Sequence, residues 1–177
     1  MGAERIATAV KRVEAALKRR PDKGLHADAP ATARWQGGTR IVASNGNGAS
    51  VLTDMPDELG GSGDQVTPGW LFRAGVASCL ATSIALTAAV EGIEIITLEV
   101  TAASRSDTRG LLGMADERGE AVCAAPVAVE LNVRIGARGA AGERLRELVE
   151  RSRRCSPIPV AVQQTVPVTL NIDVDQG

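Results

Sequence analysis

The sequence predicts an α+β fold in which antiparallel strands surround one long, buried helix. Three segments carry this prediction. The first, from Pro68 to Glu91, is apolar on nearly every side when wound as a helix, and such a helix needs cover on most of its faces. The other two, from Pro126 to Gly136 and from Thr165 to Val174, alternate between apolar and polar residues, which is typical of strands that bury one face. Helix and strands are therefore expected to share one core.

The 177 residues predict a single domain, 1–177, with an N-terminal helical extension over about 1–24. Within the extension, an amphipathic helix is predicted from Ala3 to Arg20, because apolar residues recur there every three or four positions. Pro21 to Gly24 end it. The apolar stripe consists of Ile6, Val10, Val13 and Leu17. We expect this stripe to dock the helix on the rest of the domain.

A strand, a turn and a second strand are predicted between Thr32 and Thr53. Asn45 to Gly48 form the turn, because Asn and Gly tolerate the positive φ angles of tight hairpins. The following loop, Asp54 to Gln65, is rich in glycine but lacks the Lys followed by Ser or Thr that a phosphate-binding loop requires. It is therefore predicted to be a connection and not a nucleotide site.

The central helix has clear start and stop signals. Thr67 is a good N-cap residue, Pro68 suits the first helical position, and Gly92 is a typical residue just beyond a helix end. At about 1.5 Å per residue the helix is roughly 35 Å long. Complete burial of such a helix is demanding for one small domain, so we expect a partner subunit to cover part of it.

The second half of the chain predicts three further strands and one further helix. A polar connection from Ser104 to Val122 separates the first two strands, and the segment from Cys155 to Pro159 breaks or bends the helix. The predicted strands are Ile93 to Ala103, Pro126 to Gly136 and Thr165 to Val174, and the predicted helix is Gly142 to Arg154.

Composition excludes several classes of function. The 20 Lys and Arg residues are balanced by 21 Asp and Glu, so neither nucleic acid nor a membrane surface is expected as a partner. The apolar stretch from Trp70 to Val90 is interrupted by Arg73, which argues against a membrane span. With His26 as the only histidine, no metal site and no cofactor are predicted. The odd number of cysteines and the absence of an apolar leader favour the cytoplasm.

Cys79, Cys123 and Cys155 are the candidates for chemistry. A cysteine in an apolar helix, as at Cys79, is often only a small core residue. Cys155 follows Arg151, Arg153 and Arg154, whose charges favour a thiolate, whereas the negative end of the helix dipole opposes one. Cys79 and Cys155 thus form a candidate thiol–disulfide pair, although spacing alone does not bring the two sulfurs together. Cys123 is predicted to be structural, with a resolving thiol as the alternative.

Two groups of motifs resemble the OsmC/Ohr family of hydroperoxide-reducing proteins. The first contains Glu-Leu-Gly-Gly-Ser-Gly at 58–63, Thr-Pro at 67–68 and Ala-Ser-Cys at 77–79. The second contains Cys-Ser-Pro-Ile-Pro-Val at 155–160 and Val-Pro-Val-Thr-Leu-Asn-Ile at 166–172. In order of elements, the resemblance extends from Arg34 to Val174.

The resemblance implies an intertwined homodimer with active sites at the dimer interface. It implies that Cys79 is the peroxidatic thiolate and that Cys155 resolves its sulfenic acid as a disulfide. The substrate would be an organic hydroperoxide, which an apolar pocket favours over hydrogen peroxide, and a thiol or dithiol would be the reductant.

The chain also departs from the family pattern. Gly69 stands where the Ohr-type enzymes have a glutamate that holds a catalytic arginine, and Ser156 follows Cys155 where proline is usual. Arg40 is the predicted catalytic arginine, with Arg34 and Arg73 as the other candidates. These departures favour an OsmC-like branch. They also leave an alternative function open, a non-catalytic or redox-sensing protein that binds an apolar ligand at the dimer interface.

Overall fold

The computed structural model describes residues 2–164 and 166–175, and over these residues it mixes helices with antiparallel sheet, which confirms the predicted fold class. The helices are α1 (Gly2–Arg19), α2 (Pro68–Val90), α3 (Thr108–Leu111), α4 (Gly142–Arg154) and α5 (Pro157–Gln163). The strands are β1 (Thr32–Trp35), β2 (Ile41–Ser44), β3 (Ser50–Thr53), β4 (Ile95–Arg105) and β5 (Ala128–Ala137).

The first sheet has the order β1-β2-β3, with both pairs antiparallel. The predicted turn joins β2 to β3, and the side chain of Asn45 accepts hydrogen bonds from the backbone amides of Asn47 and Ala49. The prediction of one strand before this turn was incomplete. An earlier turn, in which Gly37 and Gly38 have φ angles of 107° and 56°, reverses the chain and pairs β1 with β2.

The second sheet is a long antiparallel pair formed by β4 and β5, with continuous register from Thr97 opposite Gly136 to Arg105 opposite Ala128 and a register shift between Ile95 and Thr97. One face of this sheet packs on α2. The apolar residues that alternate along both strands supply that face, as the sequence predicts: Leu98, Val100, Leu131, Val133 and Ile135.

Helix α2 is the centre of the core, and its predicted boundaries are confirmed. The hydroxyl of Thr67 accepts a hydrogen bond from the backbone amide of Trp70 at 3.1 Å, and Gly92 has a φ of 68° just beyond the helix end. One stripe of α2 is fully buried against α4 and the second sheet. The core residues are Leu80, Ile84, Ala88, Ile93, Leu145 and Leu148.

The remaining faces of α2 are less well covered. Helix α1 packs along α2, yet none of its own residues is buried, and Leu86 of α2 is 41% exposed. Among the described residues α2 is also the one helix long and apolar enough to cross a membrane. A core helix has the same composition, and the buried stripe of α2 shows that this helix forms the core.

The strand predicted from Thr165 to Val174 is not formed. Thr165 lies outside the described residues, and residues 166–175 form neither helix nor strand. Their apolar side chains are open to solvent, and Val168 is 91% exposed. The alternation that predicted a strand is real, but a strand also needs a neighbouring edge with which to share backbone hydrogen bonds. Within one protomer this segment pairs with neither sheet.

Candidate active site

Cys79 lies half-buried on α2, beside the fully buried stripe that contains Val76 and Leu80. Two donors reach its sulfur from the segment that follows α4. The hydroxyl of Ser156 donates to Sγ at 3.2 Å, and the backbone amide of Ile158 donates to Sγ at 3.5 Å. An ordinary core cysteine needs no such partners, so these contacts distinguish Cys79 from a mere space-filling residue.

Ser156 is held in place by the break between α4 and α5. Helix α4 ends at Arg154 and Pro157 begins α5, so that Cys155 and Ser156 form the short connection between the two helices. Its backbone amide donates to the carbonyl of Arg153, and its side chain is completely buried. The sequence indicated a helix break, a family motif and a departure from that motif at Ser156, but it did not predict the contact of Ser156 with Cys79. The signal was a serine directly before a proline beside a candidate cysteine.

Cys155 occupies the cap position of α4 and is exposed, and its thiol is free, as are those of Cys79 and Cys123. The structure therefore brings the residue after Cys155 to the Cys79 sulfur. The pairing of Cys79 with Cys155 stays a prediction. Cys123 is exposed in the connection between β4 and β5, where its carbonyl approaches Gly110 so closely that a Cβ there would lie 2.3 Å from the oxygen.

The three candidate arginines lie in different surroundings. Arg34 is exposed on β1. Arg73, on α2, donates from Nη1 to the hydroxyl of Ser104 on β4 at 3.3 Å. Arg40 is held by a group of acidic and hydroxyl side chains in the loop after β3, and the structure gives its guanidinium no contact with Cys79 among the described residues.

Arg40 is the centre of the best-organised charged group in the chain. Its Nη2 donates to both carboxylate oxygens of Asp64, at 2.9 and 2.8 Å, and to the hydroxyl of Ser62 at 2.9 Å. Its Nε lies 3.6 Å from Oδ2 of Asp54. The hydrogen bond from Arg40 to Asp64 raises the pKa of Arg40, whereas hydrogen bonds from Ser62 and Arg40 lower the pKa of Asp64. The geometry fixes a permanent positive charge between two carboxylates.

Asp54 anchors this group from beneath, with only 2% of its surface exposed. Its carboxylate accepts hydrogen bonds from the hydroxyls of Ser62 and Thr39 and from the backbone amides of Ser62 and Met55. These bonds, led by that of the Ser62 hydroxyl, hold the pKa of Asp54 well below its usual range. The loop that the sequence presented as a plain connection is thus a built support for Arg40.

An apolar groove of about 470 Å³ lies near Cys79, which is not itself one of its lining residues. Ile158 links the two, because its backbone amide contacts the sulfur while its side chain lines the groove. The other lining residues come from α2, from the start of β5 and from the C-terminal part of the chain: Phe72, Ala125, Pro126, Val129, Ala161, Val162 and Val166. Within residues 2–164 and 166–175, no three or more His, Cys, Asp or Glu side chains form a cluster that could hold a metal ion.

The comparison with models of protein families identifies one family. A family model described as OsmC-like protein matches residues 61–171, a span that includes both Cys79 and Cys155. The search of curated proteins finds no match.

Solved structures share the fold at low sequence identity. An OsmC-like protein from Mycoplasma pneumoniae has a TM-score of 0.65 at 15% identity, covering 80% of this chain and 91% of that one. An organic hydroperoxide resistance protein from Elizabethkingia anophelis has a TM-score of 0.57 at 22% identity, covering 80% and 91%. One from Legionella pneumophila has a TM-score of 0.53 at 23% identity, covering 78% and 92%.

Proposed function

The chain belongs to the OsmC-like protein family, and from this premise we propose that it is a cysteine-dependent reductase of organic hydroperoxides whose nucleophile is Cys79. One observation carries the proposal. The Cys79 sulfur is half-buried, accepts two hydrogen bonds and lies beside an apolar groove. A reactive sulfur next to a surface for an alkyl group is the combination that such a reaction needs.

The first chemical step uses the sulfur as an anion. The Cys79 thiolate attacks one oxygen of the peroxide, the O–O bond breaks, and the alcohol leaves after its oxygen takes up a proton. The sulfur is oxidised to a sulfenic acid and the peroxide is reduced. Hydrogen bonds to a charged sulfur are stronger than those to a neutral thiol, so the donors Ser156 and Ile158 favour the reactive form.

The groove favours substrates with an apolar body. Burial of alkyl surface contributes about 25 cal/mol per Å². The groove wall is made of aliphatic and aromatic side chains such as Phe72, Val129 and Ile158. An alkyl or aryl hydroperoxide gains from contact with this wall, whereas hydrogen peroxide has no group to bury.

Restoration of Cys79 requires a second thiol, for which Cys155 is our proposal. Condensation of the sulfenic acid with the Cys155 thiol releases water and forms a disulfide, which an external thiol or dithiol then reduces. A disulfide requires Cβ atoms about 3.5–4.5 Å apart. Ser156 contacts the sulfur while its neighbour Cys155 is exposed, so we expect the turn between α4 and α5 to shift when this bond forms.

We further propose that the active protein is a cytoplasmic homodimer that works without nucleic acid or membrane as a partner. Two features support a second subunit. The uncovered faces of α2 and the exposed apolar side chains of residues 166–175 are surfaces that a partner copy would bury. Arg40 remains the proposed catalytic arginine, presented by the loop that holds it.

The decisive experiment compares Cys79→Ser with Cys123→Ser in a thiol-coupled assay of cumene hydroperoxide consumption. The first variant is expected to lose turnover completely, and the second, which removes an exposed thiol in the β4–β5 connection, is expected to retain it. Consumption by Cys79→Ser at the wild-type rate would refute the proposal. Cys155→Ser, assayed in parallel, reports whether the second thiol is required.

Gly69 favours a second candidate function, the binding of an apolar ligand without turnover. This position supplies no carboxylate, although Nη1 of Arg73 lies 3.6 Å from the place that a Cβ atom on Gly69 would occupy. A binding protein would retain a stoichiometric apolar ligand after purification, which native mass spectrometry detects, and would consume no hydroperoxide. An empty groove together with rapid oxidation of Cys79 would exclude this alternative.

A further inference from the structure

The shorter of the two hydrogen bonds to the Cys79 sulfur comes from a serine, Ser156, whose surroundings give it little freedom. Ser156 is fully buried, its hydroxyl donates to Sγ at 3.2 Å, and its backbone is fixed between α4 and α5. A buried hydroxyl needs a partner, and the structure provides the sulfur. The contact is therefore a built feature of the fold.

We propose that Ser156 is a positioning residue for Cys79 that speeds attack on the peroxide and delays resolution of the product. This inference rests on the proposed function. The hydroxyl stabilises the charged sulfur, which accelerates the first step. The same hydroxyl fills the place from which a resolving thiol would act, and oxygen cannot form a disulfide.

The delay has a chemical consequence. After attack, Cys79 is a sulfenic acid with Ser156 beside it and Cys155 facing solvent. A low-molecular-weight thiol entering along the groove can condense with the sulfenic acid, which releases water and leaves a mixed disulfide. A second thiol then attacks the mixed disulfide, so that Cys79 returns as a thiol and the two small thiols leave as their disulfide. As long as Ser156 keeps its contact with Cys79, an external thiol therefore reaches the sulfenic acid before the Cys155 thiol does.

The first test measures the reactivity of Cys79 without any peroxide. In a protein that also carries Cys123→Ser and Cys155→Ser, the rate of alkylation by iodoacetamide at pH 7 reports Cys79 alone. Ser156→Ala is expected to lower this rate about tenfold, the effect of losing one hydrogen bond to a charged group. Ser156→Thr, which keeps the hydroxyl, is expected to restore most of the rate.

Ser152→Ala is the matched control, because Ser152 is equally buried on α4 but donates to the carbonyl of Leu148. Alkylation of this variant is expected to proceed at the unmodified rate. Equal rates for Ser156→Ala and the parent protein would overturn the proposal, and so would equal losses in Ser156→Ala and Ser152→Ala, since they would indicate a general packing effect.

The second test places a thiol at the position of the hydroxyl. An S–S bond is about 2.05 Å long, and the 3.2 Å contact of the Ser156 hydroxyl with Cys79 is the reason to expect that the sulfur of Ser156→Cys can bond to Cys79. After one equivalent of cumene hydroperoxide, the wild type is expected to give a dimedone adduct at Cys79. Ser156→Cys is expected to give a disulfide and at least tenfold less adduct. Equal adduct in both proteins would overturn the proposal.

Failure of the proposed function gives a different pattern. If the protein does not react with hydroperoxides, neither protein forms an adduct, yet the alkylation rates still test the contact between Ser156 and Cys79. Oxidation of Ser156→Cys by diamide supplies a second check, because the disulfide then forms without any peroxide chemistry. Absence of that disulfide would overturn the assigned geometry.

Discussion

The substitution Gly61→Ala adds one methyl group to the loop that holds Arg40, and it therefore tests how tightly that loop is built. The loop after β3 turns so tightly that a Cβ on Gly61 would lie 1.8 Å from the carbonyl oxygen of Met55. The obstacle is backbone, which cannot rotate aside as a side chain could. The same carbonyl accepts a hydrogen bond from the amide of Gly63, so it is fixed from both directions.

The size of the disturbance follows from these distances. Ordinary contact begins at 3.4 Å, so the two backbone segments must separate by about 1.6 Å. The neighbouring bond from the amide of Ser62 to Asp54 is 3.0 Å long, and a shift of this size breaks it. Local strain or displacement of this kind costs about 1–3 kcal/mol in the free energy of unfolding. The hydrogen bond from Arg40 to the hydroxyl of Ser62 is also disturbed, because Ser62 is no longer fixed in place.

Urea unfolding measures this cost, and the hydroperoxide assay measures its effect on turnover. The matched control is Gly46→Ala in the β2–β3 turn, where an added Cβ meets nothing within 4 Å and φ is not positive. The control is expected to change stability by less than about 0.5 kcal/mol. Gly61→Ala with the same stability as Gly46→Ala would refute the description of this loop.

Two further predictions concern the buried carboxylate and the core. Because the pKa of Asp54 is lowered in the folded protein, its stabilising contribution is fully present above its ordinary value of 3.8 and is lost progressively as the pH falls from that value toward the lowered pKa. Urea unfolding at about pH 6 and pH 3.5 should therefore show a larger acid loss for the wild type than for Asp54→Asn, and equal losses would contradict the assignment. Leu148, which is fully buried beneath α2, should lose about 2–5 kcal/mol of unfolding free energy on Leu148→Ala. The control Val13→Ala, at a side chain that is 54% exposed, should change little, and a similar loss in both variants would disprove the core assignment.

Local signals in the sequence were sufficient for most elements. The N-cap at Thr67 and the glycine at Gly92 placed the ends of α2, and helix α4 was predicted at its observed bounds, Gly142–Arg154. These features depend on residues close together in the chain, so periodicity and capping chemistry predict them. The motifs around Cys79 and Cys155 likewise indicated the family that the comparisons show.

The surroundings of the reactive sulfur depend on contacts between distant parts of the chain. Ser156 lies 77 positions from Cys79, and Asp64 lies 24 positions from Arg40. No local pattern says which of two adjacent residues, Cys155 or Ser156, faces α2, because that choice depends on how the turn after α4 packs against the core.

The C-terminal segment, residues 166–175, shows a local pattern that the tertiary structure of the protomer does not use. Its alternating residues indicated a strand-forming tendency, but residues 166–175 belong to neither sheet of the protomer. Strand formation is a property of two edges that share hydrogen bonds, whereas alternation is a property of one. The sequence by itself thus determined the elements and the candidate thiols. Only the tertiary structure decided which side chains meet, because burial and hydrogen bonding join residues that are far apart in the chain.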